Sequence, residues 1–356
     1  PSRRQRQMCI RDSTLPLFVV LTLLAPVAMY WLSESVPLPK PQPPAEIRDT
    51  SPTLSMLAEL PDWSALEIYQ ETITRGDFER LLTTVFTTGQ AWQDFIEIDE
   101  SEARLSTSGD EIFHLRFATP GQTTPSPRHW QITADLPPAP AGKPLTDLHI
   151  AIDPGHIGGD WAKIEERWFV VGDGTPVCEG NMTLQVAKLL KPKLEALGAT
   201  VSLVREKTEP VTPLRPDSLS HLAEESGGPA DSPAALQKFA ERLFYRTAEI
   251  RARAKLVNNS IKPDLVLCLH FNADAWGDPN QPTLVDRSHL HLLLNGAYND
   301  DEVRLEDQRF ALVEKLLRHT HEEEALIGAS VADAFAQASK LPPFIYPSDS
   351  LNALPV

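Results

Sequence analysis

The sequence predicts an α/β protein with a doubly wound, mostly parallel or mixed sheet that has helices on both faces, preceded by a small α+β domain. Apolar runs at residues 148–152, at 200–204 and from 265 to His270 have the length of buried strands. Residues 184–197 and 234–258 lie between these runs and carry apolar side chains at helical spacing. Strands that alternate with helices in this way are typical of a doubly wound sheet.

Composition limits the class of protein. The chain has 356 residues, of which 42% are hydrophobic, and a net charge of −16. This is enough for a sizeable core in one large domain or two. The acidic balance, without a long basic stripe, argues against a nucleic-acid binder. It also argues against tight electrostatic attachment to anionic wall polymers or lipids.

The N-terminal segment predicts export. Residues 1–13 are expected to be translated sequencing adaptor, because the chain starts at Pro1 and the Arg-rich run that follows resembles adaptor sequence. Residues 14–35 are expected to be a signal peptide or a membrane anchor, since 14–32 is an uncharged apolar run long enough to cross a bilayer. No clear cleavage site precedes Ser33, so both alternatives stay open. The predicted localisation is the periplasm or cell envelope.

A small α+β domain is predicted between two proline-rich linkers. Residues 36–55 and 137–146 form the linkers, and residues 56–136 form the domain. Its predicted helices are 64–70 and 77–86, and its predicted strands are 95–98, 103–107, 112–117 and 130–134. Because this stretch contains no group of candidate ligands, three roles stay open: positioning substrate, covering a groove, or supporting folding.

His156 lies directly after the first strand of the predicted sheet. The run at 148–152 ends in Asp153-Pro154-Gly155, which is typical of a turn. Open α/β sheets bind ligands at the carboxyl ends of their strands. Gly158 and Gly159 follow, and they leave room for a metal or a substrate to approach the backbone.

Two further residues complete a possible set of metal ligands. His270 ends the apolar run from residue 265, and Glu179 lies just before Asn181, a predicted helix cap. Two histidines and one carboxylate from three separate element ends form the ligand set of a catalytic zinc, which keeps one coordination position for water. Pro192 predicts that the helix after Glu179 is kinked or divided into two shorter helices.

These motifs resemble the zinc N-acetylmuramoyl-L-alanine amidases (amidase type 3), which cut the amide between glycan and stem peptide in the bacterial cell wall. The resemblance is carried by Asp-Pro-Gly-His-x-Gly-Gly-Asp at 153–160, by a glutamate at a helix start and by His-x-Asn-Ala after a strand. It implies one Zn²⁺ per chain held by His156, Glu179 and His270, peptidoglycan as the partner, and a glutamate general base on a late strand.

Three more residues are predicted to support the site. Asp153 is expected to stabilise the turn or to lie behind the ligands, and Asn272 to lie behind them or to face substrate. Arg205 is expected to contact a carboxylate of the stem peptide. Cys178 and Cys268 lack Cys-x-x-Cys spacing, which argues against a structural zinc. Whether these two cysteines form a disulfide stays open. The preferred interpretation is that both are small buried thiols.

The catalytic domain is assigned to residues 147–356 and is expected to be incomplete at its C-terminal end. No glutamate follows Glu324, so the general base is expected beyond Val356 and this chain could be inactive without it; Glu165 and Glu166 are weaker alternatives. The main hypothesis is zinc-dependent hydrolysis of the amide between N-acetylmuramic acid and L-alanine. One alternative is a non-catalytic peptidoglycan-binding envelope protein of the same fold. Another is a zinc peptidase or deacylase that acts on a different polymer. The sequence identifies no protein activator.

Overall fold

The computed structural model describes residues 54–229, 232–271, 288, 290–294 and 296–341. The predicted adaptor, the export segment, nearly all of the first linker, Asn272 and the predicted base lie outside the described residues. Among the helices of the described part, none combines the length and the apolar character needed to cross a bilayer.

The sheet that carries the predicted ligands is parallel. In chain order the described strands are β1 (Ile96–Ile98), β2 (Glu102–Ser106), β3 (Ile112–Arg116), β4 (His149–Pro154), β5 (Trp168–Phe169), β6 (Val177–Cys178), β7 (Thr200–Leu203) and β8 (Leu265–Leu269). Strand β4 lies between β7 and β8, and Ile150 pairs with Val201 on one side and Leu265 on the other. All three strands therefore end at the same edge, which confirms the α/β class.

Most of the described helical structure follows the predicted spacing. The α-helices are α1 (Arg75–Leu81), α2 (Glu179–Ala196), α3 (Ser220–Glu225), α4 (Pro233–Arg242), α5 (Glu249–Lys255), α6 (Asp300–Arg304), α7 (Glu306–Leu317) and α8 (Thr320–Ser339). The π-helical segments Leu243–Ala248 and Leu256–Ile261 join onto α4 and α5, so residues 233–261 form the long helical run that was predicted. Between β7 and α4, the described residues form α3 and a short 3-10 helix, Pro216–Leu219.

Helix α2 covers one face of the parallel sheet. Ala187, Leu190 and Leu194 pack against Ile150 and Ile152 of β4. The prediction that Pro192 divides this segment into two shorter helices is wrong, because α2 is a single helix from Glu179 to Ala196. Proline removes one backbone hydrogen bond, and burial of the apolar face against the sheet offsets that loss.

The N-terminal unit has its own antiparallel sheet and its own core. Strands β1, β2 and β3 pair in that order. The fully buried Phe78, Phe86 and Leu105 lie in its core. The predicted strand at 130–134 is wrong, since the chain forms only a short 3-10 turn there, Thr133–Asp135.

Helix α7 packs into the core of this N-terminal unit. Leu312, Leu316 and Leu317 belong to the same buried cluster as Phe78. The Trp63 indole also donates a hydrogen bond to the buried Glu306 carboxylate at 2.9 Å. The assignment of residues 147–356 to one separate domain does not account for this packing.

Candidate metal centre

A strained turn places His156 at the end of β4. His156 has a φ of 59°, a left-handed conformation that is uncommon for residues other than glycine. The Arg253 guanidinium fixes this turn from α5. It donates to the carbonyl oxygen of Pro154 at 2.8 Å and to that of His156 at 2.9 Å. The conformation is therefore held by contacts that arrive from a separate helix.

Arg253 is itself anchored by two carboxylates. Its Nε donates to Glu249 at 2.7 Å and its Nη1 donates to Asp153 at 2.9 Å. Burial raises the pKa of Asp153, while the Arg253 charge opposes that rise. Asp153 is absent from the group of side chains able to hold a metal. Its position in this ion pair agrees with the predicted role of stabilising the turn.

Glu179 is the first residue of α2 and faces both histidines. One carboxylate oxygen, Oε2, lies 3.4 Å from Nε2 of His156, and the other, Oε1, lies 3.4 Å from Nδ1 of His270. The Phe271 amide donates to Oε1 at 2.9 Å. Burial alone would raise the pKa of Glu179, but the hydrogen bond with His270 and the charge of His156 hold that pKa below its ordinary value. Glu179 is therefore ionised at neutral pH, the form that binds a metal.

The three side chains converge as the sequence predicted. One ligand atom from each of His156, Glu179 and His270 lies within 4.8 Å of the other two. The imidazole rings are 5.2 Å apart and nearly perpendicular. Two atoms that each lie about 2.0–2.1 Å from a tetrahedral zinc are roughly 3.4 Å apart. Glu179 keeps that distance from each histidine through a different carboxylate oxygen. The donor types therefore fit zinc, and the three side chains are close enough together to reach one ion.

Gly155 allows β4 and β8 to end side by side. A Cβ at this position would lie 2.6 Å from the His270 Nδ1 and 2.6 Å from the Leu269 carbonyl oxygen. The Gly155 amide donates to that same carbonyl at 2.9 Å. Any larger residue would therefore displace one of the two histidine-bearing turns.

Arg167 brings a positive charge to the ligands. Its Nε lies 3.1 Å from Oε2 of Glu179 and 3.3 Å from Nε2 of His156. It directly precedes β5, which pairs with β6 just before Glu179. Sequence analysis missed Arg167, because no spacing rule connects it to either partner. The short β5–β6 hairpin brings it there.

Glu165 contacts the other side of His156. Its carboxylate lies 3.5 Å from Nδ1 of His156 and accepts backbone N–H groups from Ile157 and Gly158. The sequence marked Glu165 only as a weak candidate for the general base. Asn181, predicted to cap α2, instead lies inside the helix and accepts the Gly159 amide at 2.7 Å.

Arg205 is buried beneath the site. Its guanidinium donates to the carbonyl oxygens of Gly180 at 2.9 Å and Pro154 at 3.3 Å, and burial lowers the pKa of Arg205 to about 10. These contacts join α2 to the β4 turn, and they place Arg205 behind the ligands rather than at a surface open to a stem peptide. Both Cys178 and Cys268 are free. Cys178 is buried, but Cys268 is exposed, so the interpretation as buried thiols holds only for Cys178.

Two strand ends of a parallel sheet and the start of α2 bring two histidines and a carboxylate together, and this group could hold a single metal ion. Residues 150–281 match the family model described as N-acetylmuramoyl-L-alanine amidase. This match confirms the amidase family for that part of the chain, in agreement with the sequence motifs. No curated protein and no solved structure matches the chain.

Proposed function

We propose that this protein is a zinc-dependent N-acetylmuramoyl-L-alanine amidase that acts on peptidoglycan in the bacterial envelope. The observation that carries the proposal is the convergence of His156, Glu179 and His270 within 4.8 Å of one another. The family match over residues 150–281 supports peptidoglycan as the substrate. We also propose that the sheet is doubly wound and that the chain is exported through residues 14–35.

His156, Glu179 and His270 would hold one zinc ion and leave its fourth position open. A zinc held in this way lowers the pKa of bound water to about 7 and polarises an amide carbonyl. Glu179 contributes one negative charge to the site, and the Phe271 amide fixes its orientation. The buried ion pair of Arg253 and Asp153 keeps the His156 turn in position before substrate arrives.

Glu165 does not serve as the general base in this proposal. Its two oxygens already accept backbone N–H groups, and its side chain is almost fully buried. A base must reach the water proton and then the leaving amine, which requires a carboxylate free to face the substrate. The glutamate predicted beyond Val356 stays a prediction.

Because the general base is predicted beyond Val356, the proposal is tested on a full-length clone with purified peptidoglycan. We expect one zinc per chain and the release of stem peptides with a free L-alanine amino group. His156→Ala and His270→Ala should lose both zinc and activity, whereas His114→Ala, on the exposed face of β3, should keep both. Zinc binding without peptide release would favour the non-catalytic binder. Cleavage of a different bond would favour the peptidase or deacylase, and absence of zinc binding would contradict the metal site itself.

A further inference from the structure

We infer that residues 55–58, termed the strap, are positioning residues that act on the metal centre through α5. The strap lies where the predicted linker at 36–55 meets the N-terminal unit. This role rests on the proposed zinc site, because it concerns how a segment far away in the sequence keeps the turn of one ligand in place. The strap itself contributes no ligand to the site.

The strap is a tight turn in a strained conformation. The Ala58 amide donates to the Ser55 carbonyl oxygen at 3.0 Å, and Leu57 has a φ of 59°. A bulky residue rarely adopts this left-handed conformation, which persists only where the surrounding structure enforces it. The role of the strap therefore follows from the contacts that enforce this turn.

Two helices hold the backbone of the strap. Asp307 of α7 accepts hydrogen bonds from the Ser55 amide at 2.8 Å and from the Ser55 hydroxyl at 2.5 Å. Arg251 of α5 donates to the Met56 carbonyl oxygen at 3.1 Å and to Asp307 at 3.0 Å, and it also donates to the Ser55 hydroxyl. The strap therefore joins α5 to α7, which packs in the core of the N-terminal unit.

The apolar side chains of the strap pack into the core that holds the His156 turn. Met56 and Leu57 pack against the buried cluster that contains Ile157 and Phe244. Ile157 is fully buried and directly follows the ligand His156. The segment that is tied to α5 by hydrogen bonds therefore also contacts the core next to the ligand.

Helix α5 connects the strap to the ligand. Arg251 binds the strap, and Arg253, two residues later, donates to the carbonyl oxygen of His156. The π-helical segments Leu243–Ala248 and Leu256–Ile261 flank α5 on both sides. Because π-helical turns interrupt the regular α-helical hydrogen bonding, the position of α5 depends on its side-chain contacts. Loss of the strap contacts should let α5 move and carry Arg253 away from the His156 turn.

Two substitutions remove the two kinds of strap contact separately. Arg251→Met removes the polar contact with the backbone of the strap. Asp307 keeps Ser55 and Gln308 as donors in this variant, so its carboxylate is not left without partners. Leu57→Ala removes the apolar contact with the core. The control is Lys255→Met on the same helix, because Lys255 pairs only with an exposed glutamate at the surface.

Zinc affinity is measured by competition with a chromophoric chelator, on variants that circular dichroism shows to be folded. Hydrogen exchange of zinc-free protein reports on the amides of residues 155–158. We expect zinc affinity to fall about 3- to 30-fold in Arg251→Met and in Leu57→Ala, and to stay within about twofold in Lys255→Met. The amides of residues 155–158 should exchange faster in the first two variants only. A merely structural role of the strap would lower the free energy of unfolding without changing the zinc affinity of the folded protein.

The two readouts separate the role of the strap from the proposed function. Unchanged zinc affinity in folded Arg251→Met and Leu57→Ala would overturn this role, and so would an equal loss in Lys255→Met. If Leu57→Ala does not fold, Arg251→Met alone decides. Failure of the wild-type protein to bind zinc would instead contradict the metal site, whereas faster exchange at residues 155–158 in the two variants would still support the coupling through α5.

Discussion

The two histidines of the site are held in different ways. The His156 side chain is 12% exposed, and its turn is fixed by Arg253 on one side and Glu165 on the other. The His270 side chain is 35% exposed and lies at the end of β8, whose residue Val266 is exposed. His156 therefore lies on a turn that is packed into the core, whereas His270 lies at the more exposed end of a strand. Changes behind His156 should affect stability most, and changes near His270 should affect mainly the site.

The largest effect is expected from Arg253→Met. It leaves Glu249 and Asp153 buried without their cation, and breaking a buried ion pair in this way costs about 3–5 kcal/mol. Chemical denaturation should show this loss in the free energy of unfolding. The control is Lys255→Met, because Lys255 pairs with Glu59 at the surface, and exposed pairs contribute little to stability. Equal losses of unfolding free energy in the two variants would contradict the claim that the buried ion pair stabilises the protein more than the exposed one.

Gly155→Ala should have the next largest effect. The new methyl group would press on the His270 ring and the Leu269 carbonyl, and overpacking of this kind costs about 1–3 kcal/mol. Thermal unfolding and zinc titration should both report the change, with weaker zinc binding. Gly76→Ala is the matched control, since a Cβ there meets nothing within 4 Å. An unchanged zinc affinity in Gly155→Ala would show that His270 does not need this close approach.

Arg167→Gln is expected to strengthen zinc binding. It removes a positive charge close to two ligand atoms, and like charges repel at this distance even after solvent screening. We expect roughly a tenfold gain in affinity, or about 1.4 kcal/mol, measured by chelator competition. Arg116→Gln, which removes an exposed arginine from β3, should leave the affinity unchanged. A loss of affinity in Arg167→Gln would show that the arginine supports the ligands instead of opposing the ion.

The smallest effect concerns Asp307, which joins α7 to Ser55 and Arg251. Burial opposes ionisation, but these hydrogen bonds outweigh it and hold the pKa of Asp307 below its ordinary value. A lowered folded-state pKa stabilises the protein above the unfolded-state value, and the contribution is lost as pH falls through the folded-state value. Asp307→Asn should therefore flatten the decline in unfolding free energy on acidification. An unchanged pH profile would contradict this role for the ion pair.

The sequence was sufficient to predict the parallel sheet and the convergence of His156, Glu179 and His270, because both follow from local patterns. Apolar runs predict strands, and strand ends that share an edge bring His156 and His270 together. Arg167 and Arg253 were missed, and Glu165 was named only as a weak candidate for the general base. Their contacts with the site depend on tertiary structure: a return of the chain for Glu165, a hairpin for Arg167 and a helix packed beneath the turn for Arg253. The packing of α7 in the N-terminal core was missed for the same reason.

Two errors of local structure have a simpler cause. Pro192 predicted a break in α2, but contact with the sheet outweighed the lost hydrogen bond. The alternation at residues 130–134 predicted a strand, but these residues do not pair with β1, β2 or β3. In both cases the tertiary structure overrides the local preference of the sequence.

The most direct test of the central claim is anomalous diffraction at the zinc edge from crystals of the zinc-loaded full chain. We predict one strong peak, with a nitrogen of His156, a nitrogen of His270 and a carboxylate oxygen of Glu179 each about 2.0–2.2 Å away. A peak bound elsewhere, or none at these three side chains, would contradict the account.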